Sequence, residues 1–231
     1  MRWLSRFLRS SIGAKMLMAV TGAALLLFVI AHMLGNLQVF LGPSAINGYA
    51  HSLRMMPGLL WTARIGLLVA VVLHIVSGIR VTSLNRAARP ERYRGRQYRA
   101  ATMASRSMPV SGLVIFAFVA YHLAHYTLMW VNPEFKTFTD DLGRHDVYRM
   151  VVTGFSNKGV AALYIIAVGL LCSHLAHGIP SFFQTLGLRH PKFTPAIEVL
   201  GPAIAIVLFL GFAAVPVGVM AKWVTLAGGV G

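Results

Sequence analysis

The sequence predicts an all-α integral membrane protein of five transmembrane helices, and three observations carry that prediction. Apolar residues make up 57% of the 231-residue chain and charged residues only 12%, against about 25% charged in an average soluble domain. Five stretches are apolar for long enough to cross a hydrocarbon core of about 30 Å, which takes about 20 helical residues. Cationic side chains gather between those stretches, as they do in membrane loops. A net charge of +15 would otherwise suggest a nucleic-acid partner. Basic connections interleaved with long uncharged runs exclude that class.

The first stretch, 16–41, contains no Lys, Arg, Asp or Glu. It follows a basic terminus with Arg2, Arg6, Arg9 and Lys15, but it is too long for a signal-peptide core and lacks a convincing cleavage site. It therefore reads as a retained span. The second, 59–84, holds Arg64 one turn inside its start and Arg80 near its end, both placed to snorkel. The third, fourth and fifth cover 109–131, 159–186 and 195–224, and the chain reads as one membrane domain, 1–231. Cys172, the single cysteine, lies within the fourth stretch and reads as a small packed hydrophobe.

Orientation follows from the basic residues of the short connections. Between spans two and three, residues 85–106 hold Arg86, Arg89, Arg92, Arg94, Arg96, Arg99 and Arg106 against the single acid Glu91. That connection is expected in the cytoplasm, together with the N-terminus and the turn carrying Arg189 and Lys192. The opposite connections, 39–58 and 132–157, read as loops with few or balanced charges. Trp3, Trp61, Trp130 and Trp223 fall at span ends, where indoles favour the headgroup region.

The nine histidines carry the chemistry. His32, His74, His122, His125 and His174 lie well inside spans one to four, with His177 a turn beyond His174. An ionisable side chain in hydrocarbon is costly and marks a functional site by default. At about 1.5 Å per residue, His32 and His122 lie about 24 and 20 Å from cytoplasmic span starts. His74 and His174, on spans running inward, each lie about 22 Å from an outer start. Four helices thus offer an outer and an inner imidazole pair, as two bis-histidine haems in a helix bundle require. His74-Ile-Val-Ser-Gly78-Ile79 echoes His174-Leu-Ala-His-Gly178-Ile179, each glycine one turn past a histidine on the same face. Aligning the glycines pairs His74 with His174 and leaves Ser77 opposite His177. His125 and His177 stay open as rival ligands or neighbours of the ligands. His51, His145 and His190 read as loop histidines. His51, with Asn47, Tyr49 and Arg54 in the first outer connection, also offers the donors and proton route that a quinone carbonyl needs.

Phe28-Val-Ile-Ala-His32, Leu73-His74-Ile-Val-Ser-Gly78, Tyr121-His122-Leu123 and Ser173-His174-Leu-Ala-His177-Gly178 resemble the cytochrome b558 family of succinate dehydrogenase and fumarate reductase membrane subunits. The segment 45–57, from Ala45 through His51 to Pro57, is similar to that family's first outer loop. The resemblance spans nearly the whole chain. It implies a membrane anchor in a bacterial cytoplasmic membrane, joined on the cytoplasmic face by a flavoprotein subunit and an iron-sulfur subunit. It also implies an inner haem b on His74 and His174, an outer haem b on His32 and His122, and menaquinone as the usual quinone. Some fumarate reductases of this kind carry a glutamate two residues before the fourth-span histidine for proton transfer; here that position is Cys172. The arginine-rich connection is expected either to contact the iron-sulfur subunit or to bind anionic lipid. Two other readings stand beside this one: a di-haem cytochrome b of another quinone-linked dehydrogenase, such as a formate dehydrogenase or hydrogenase, and a proton-coupled transporter using histidine relays.

Overall fold

A computed structural model describes residues 6–7, 10–88, 103–226 and 229–230. The central arginines of the 85–106 connection, Arg89, Arg92, Arg94, Arg96 and Arg99, lie outside the described residues, as do Arg2, Arg9 and Trp3.

Helix α1, Ser11–Leu37, runs on through a 3-10 turn, Gln38–Leu41. Gly42, at φ 92°, ends it in a conformation that glycine adopts without steric cost. Pro43 then opens α2, Pro43–Arg54, with its φ already set for a first helical turn. Helix α3 covers Pro57–Ala87, and α4, Met103–His122, passes into a π-turn, Leu123–Thr127. A short 3-10 helix, Pro133–Thr137, precedes α5, Val147–Ser156, whose N-cap Asp146 accepts a bond from the Arg149 N–H. Helices α6, Lys158–Thr185, and α7, Thr194–Met220, complete the helical set. A two-residue antiparallel pairing of β1, Val224–Thr225, with β2, Gly229–Val230, follows. Five stretches are long and apolar enough to cross a membrane: Ser11–Leu41, Pro57–Ala87, Ser107–Thr127, Lys158–Thr185 and Thr194–Met220.

Three sequence expectations need correction. Segments 39–58 and 132–157 are not plain loops, because α2 and α5 lie within them. Each has at most 12 residues, too few to register as a span, and is held by packing rather than by length. His51 accordingly sits on α2, while His145 stays in a connection, bridged to Thr139. The third span stops at Thr127 and the fifth at Met220, short of Val131 and Val224. Hydropathy counts Met129, Trp130, Trp223 and Val224 as apolar whatever their backbone does. Met129 at φ 52° and Lys222 at φ 61° have already left the helix.

The chain groups into two compact units, and each takes one end of every membrane-spanning helix. The first comprises residues 1–28, 64–113 and 173–205. In it Pro180 lies inside α6 and cannot donate to the Ala176 carbonyl. A Cβ on Gly201 of α7 would meet that carbonyl oxygen at 2.7 Å and Pro180 Cδ at 2.7 Å, so only glycine lets α7 pass there. The second unit comprises 29–63, 114–172 and 206–231. Its core joins Val39, Ile46, Tyr148, Val151, Val152, Phe155, Tyr164, Val215, Val219 and Val224.

One buried amide ties α2 to α5 in this second unit. Asn47, fully buried, donates to Asp146 Oδ1 at 3.0 Å and Asp140 Oδ2 at 3.3 Å, and its Oδ1 accepts from the Tyr148 N–H at 2.9 Å. Asp140 is also bonded by Arg144, at 2.8 Å from both Nε and NH2. Desolvation works against its charge, but the hydrogen bonds from Arg144 and from the Leu142 N–H, with the Arg144 charge, together hold the carboxyl below its ordinary range. Tyr148 Oη in turn donates to the Thr225 carbonyl. Burial pushes the nearby His145 imidazole below its usual value, Arg54 adds to that shift and Asp146 opposes it.

Asn47→Ala leaves the Tyr148 N–H buried without an acceptor, which costs about 1–3 kcal/mol. A thermal melt in detergent should show the loss, and the exposed control Ser52→Ala should leave the midpoint in place. His145 adds a pH dependence. Its folded pKa is depressed, so the unfolded chain takes up the proton first, and stability falls as pH drops from about 6.5 through the folded value. His145→Gln should flatten the pH 5–7 part of a melting-temperature profile.

Candidate functional site

In the first unit, His74 of α3 and His174 of α6 face each other with ring centroids 6.5 Å apart and planes at 63°. His74 Nδ1 lies 3.1 Å from the Met18 carbonyl oxygen and 3.3 Å from Thr21 Oγ1, both on α1. His174 Nδ1 lies 3.1 Å from Ser111 Oγ on α4. Gly22 gives the His74 ring its seat, since a Cβ there would stand 3.0 Å from Cε1. A Cβ at Gly178 would meet nothing within 4 Å, and one at Gly78 only Met18 Sδ at 3.9 Å. The two glycines that echo each other in sequence thus leave both helix faces open beside the imidazoles.

In the second unit, His32 of α1 and His122 of α4 have centroids 5.7 Å apart and nearly perpendicular planes. Phe212 lies against His32, and Phe118 and Tyr164 against His122. Among the described residues, His122 Nδ1 is buried without a hydrogen-bond partner.

The remaining histidines occupy different surroundings. His125 is 1% exposed, stacks on Tyr126 at 4.0 Å and holds Tyr164 Oη at 3.0 Å through Nδ1. It stands in the π-turn, whose extra residue per turn moves it off the face that a regular helix would give it. His177 is half-buried and pairs with Ser181 one turn along its own helix. The quinone candidates all lie on α2 and meet different neighbours. The Asn47 amide is spent on Asp140, Asp146 and Tyr148, the Tyr49 ring packs on Gly35, His51 is exposed, and Arg54 lies near enough to His145 to affect its charge. Cys172 is buried. Thr21, Ser111 and Tyr164 escaped the sequence reading, because a lone hydroxyl in an apolar run carries no signal by itself.

These residues fit haem. Metal–imidazole bonds of about 2 Å on both sides of one iron set the ring centroids about 6 Å apart, and the two pairs stand at 6.5 and 5.7 Å. A ligating histidine usually gives its other ring N–H to a carbonyl or similar acceptor; His74 turns Nδ1 to the Met18 carbonyl and His174 turns Nδ1 to the Ser111 hydroxyl. Four neutral imidazoles without a carboxylate suit an iron porphyrin rather than a bare ion, and no group of three or more His, Cys, Asp or Glu gathers among the described residues.

Residues 82–215, more than half of the chain, match the family model described as succinate dehydrogenase/fumarate reductase transmembrane subunit. No curated protein and no solved structure matches the chain.

The contrast between His122 and His125 is testable. His125→Phe keeps the stacking but leaves Tyr164 Oη without its partner, so it should lower stability by about 1–3 kcal/mol with haem content unchanged. His122→Phe should lower haem content by about half, because His122 belongs to one of the two histidine pairs. A pyridine haemochrome assay on both purified variants distinguishes them.

Proposed function

Because the chain belongs to the succinate dehydrogenase/fumarate reductase transmembrane-subunit family, we propose that it conducts electrons between an iron-sulfur partner and quinone through two b-type haems. His74 and His174 hold one haem, and His32 and His122 the other. The observation that carries this reading is the facing of two histidine pairs, each joining two different membrane-spanning helices. A proton relay needs titrating groups linked in a chain, whereas here two histidines turn Nδ1 to fixed acceptors on a neighbouring helix.

Bound haem would supply a one-electron ferric/ferrous couple. The chain's own residues do the rest. His74 and His174 present Nε2 as the donor nitrogen while Met18, Thr21 and Ser111 engage Nδ1. Phe118, Phe212 and Tyr164 line the second pair with rings that exclude water and keep the local dielectric low. The subunit itself does not oxidise succinate; that chemistry belongs to a flavoprotein partner docked with the iron-sulfur subunit at the arginine-rich cytoplasmic side of a bacterial cytoplasmic membrane. Tyr49, His51 and Arg54, all on the polar α2 helix, offer donors for a menaquinone headgroup, with Asn47 fixing that helix through its three hydrogen bonds.

Purified protein should hold two low-spin b haems per chain in a reduced-minus-oxidised spectrum. His174→Ala should lose the haem of the first unit, while His177→Ala, whose ring pairs with Ser181, should keep both with one potential shifted. The reverse result would reassign the ligand, and a protein without Soret or alpha bands would return the transporter reading.

A further inference from the structure

Spans one and three carry an echo of their own. Thr21-Gly22 on α1 and Ser111-Gly112 on α4 are each a hydroxyl residue followed by glycine, and His32 follows Thr21 by as many residues as His122 follows Ser111. Each step meets the histidine of the next membrane-spanning helix. Thr21 Oγ1 lies 3.3 Å from His74 Nδ1, and Gly22 would meet His74 Cε1. Ser111 Oγ lies 3.1 Å from His174 Nδ1, and a Cβ on Gly112 would stand 3.8 Å from His174 Cε1. Hydroxyl and glycine thus receive the same Nδ1–Cε1 edge of the ring in both places.

The hydroxyl protons decide the polarity of these bonds. Thr21 Oγ1 donates to the Leu17 carbonyl at 2.7 Å, so toward His74 its oxygen accepts. The Met18 carbonyl, at 3.1 Å from the same nitrogen, can only accept. Ser111 Oγ lies 3.1 Å from both the Met108 carbonyl and His174 Nδ1, and a proton given to the carbonyl, which can only accept, leaves the Ser111 oxygen to accept from His174. Such bonds from a helical Ser or Thr back to its own carbonyls fix the hydroxyl rotor. With the hydroxyl protons placed so, both imidazoles carry the proton on Nδ1 and the lone pair on Nε2, in an orientation set by a neighbouring helix rather than by their own.

We infer that Thr21 and Ser111 are positioning residues of the first haem site: each accepts the Nδ1 proton of the ligand histidine on the next membrane-spanning helix, fixing its tautomer and ring orientation and raising its basicity toward iron. This rests on the haem reading above. An acceptor at Nδ1 makes the ligand a stronger donor and favours the ferric state, so losing it raises the midpoint potential. The two positions differ in weight. Ser111 Oγ is the group that faces His174 Nδ1, whereas His74 keeps the Met18 carbonyl when Thr21 is lost.

The test is a redox titration of the assembled complex with low-temperature electron paramagnetic resonance of each haem. Ser111→Ala should shift one haem to higher potential and change its low-spin g values, leaving the other unaltered. Ser111→Thr should restore both readouts, and Thr21→Val should shift the same haem by less. Unchanged potential and g values in Ser111→Ala would overturn the inference. So would a Ser111→Thr protein that behaves like the alanine variant, because packing rather than the hydroxyl would then be responsible. Failure of the haem reading looks different, since the unmodified protein would itself lack two low-spin haem signals.

Discussion

A neutral imidazole in hydrocarbon has two nitrogens to satisfy, one donor and one acceptor, and two helix contacts of the first unit answer that requirement. Leaving either one bare costs free energy that no apolar neighbour returns. His74 and His174 meet the demand at Nδ1 with acceptors on other helices, and doing so brings α1 against α3 and α4 against α6 in the first unit. Glycine at 22 is the steric counterpart for His74, since a Cβ there would crowd the ring edge, whereas a Cβ at 112 would only touch the His174 ring. His125 solves the same problem differently, closing on Tyr164 within a stack of aromatic rings, and serves packing.

The second unit adds a different kind of fastening. Asn47 binds two carboxylates and a backbone N–H at once, so one amide joins α2 to the start of α5 and to the 140–146 turn. The apolar faces of α5 and of the 3-10 turn after α1 close around Val39 and Tyr148. Polar anchoring and apolar packing here act on the same two elements, which gives two short helices a fixed place at the ends of long ones.

Span number, the approximate span limits and the two histidine pairs were legible in the sequence, because hydropathy over a window and position along a helix report on length and depth directly. The short helices α2 and α5 were not, since neither has the length of a span and both depend on contacts far away in sequence, such as Asn47 with Asp146. The π-turn at His125 was invisible too. A regular 3.6-residue period puts His122 and His125 on one face, and only the extra residue in that turn separates their surroundings. Thr21 and Ser111 show a subtler limit. Each is unremarkable alone, and they acquire meaning only when both are aligned on the histidines they meet.

The break in hydrogen bonding at Pro180 has a mechanical consequence. A helix missing one of its internal bonds bends most easily at that turn, and in α6 the turn between Ala176 and Pro180 lies between His174 and the connection to α7. Gly201 lets the neighbouring helix sit directly on the exposed carbonyl and braces it from one side. A load applied at the 186–193 connection is thus taken up as flexure at that turn, and the stiff part of α6 carrying the imidazole is strained least.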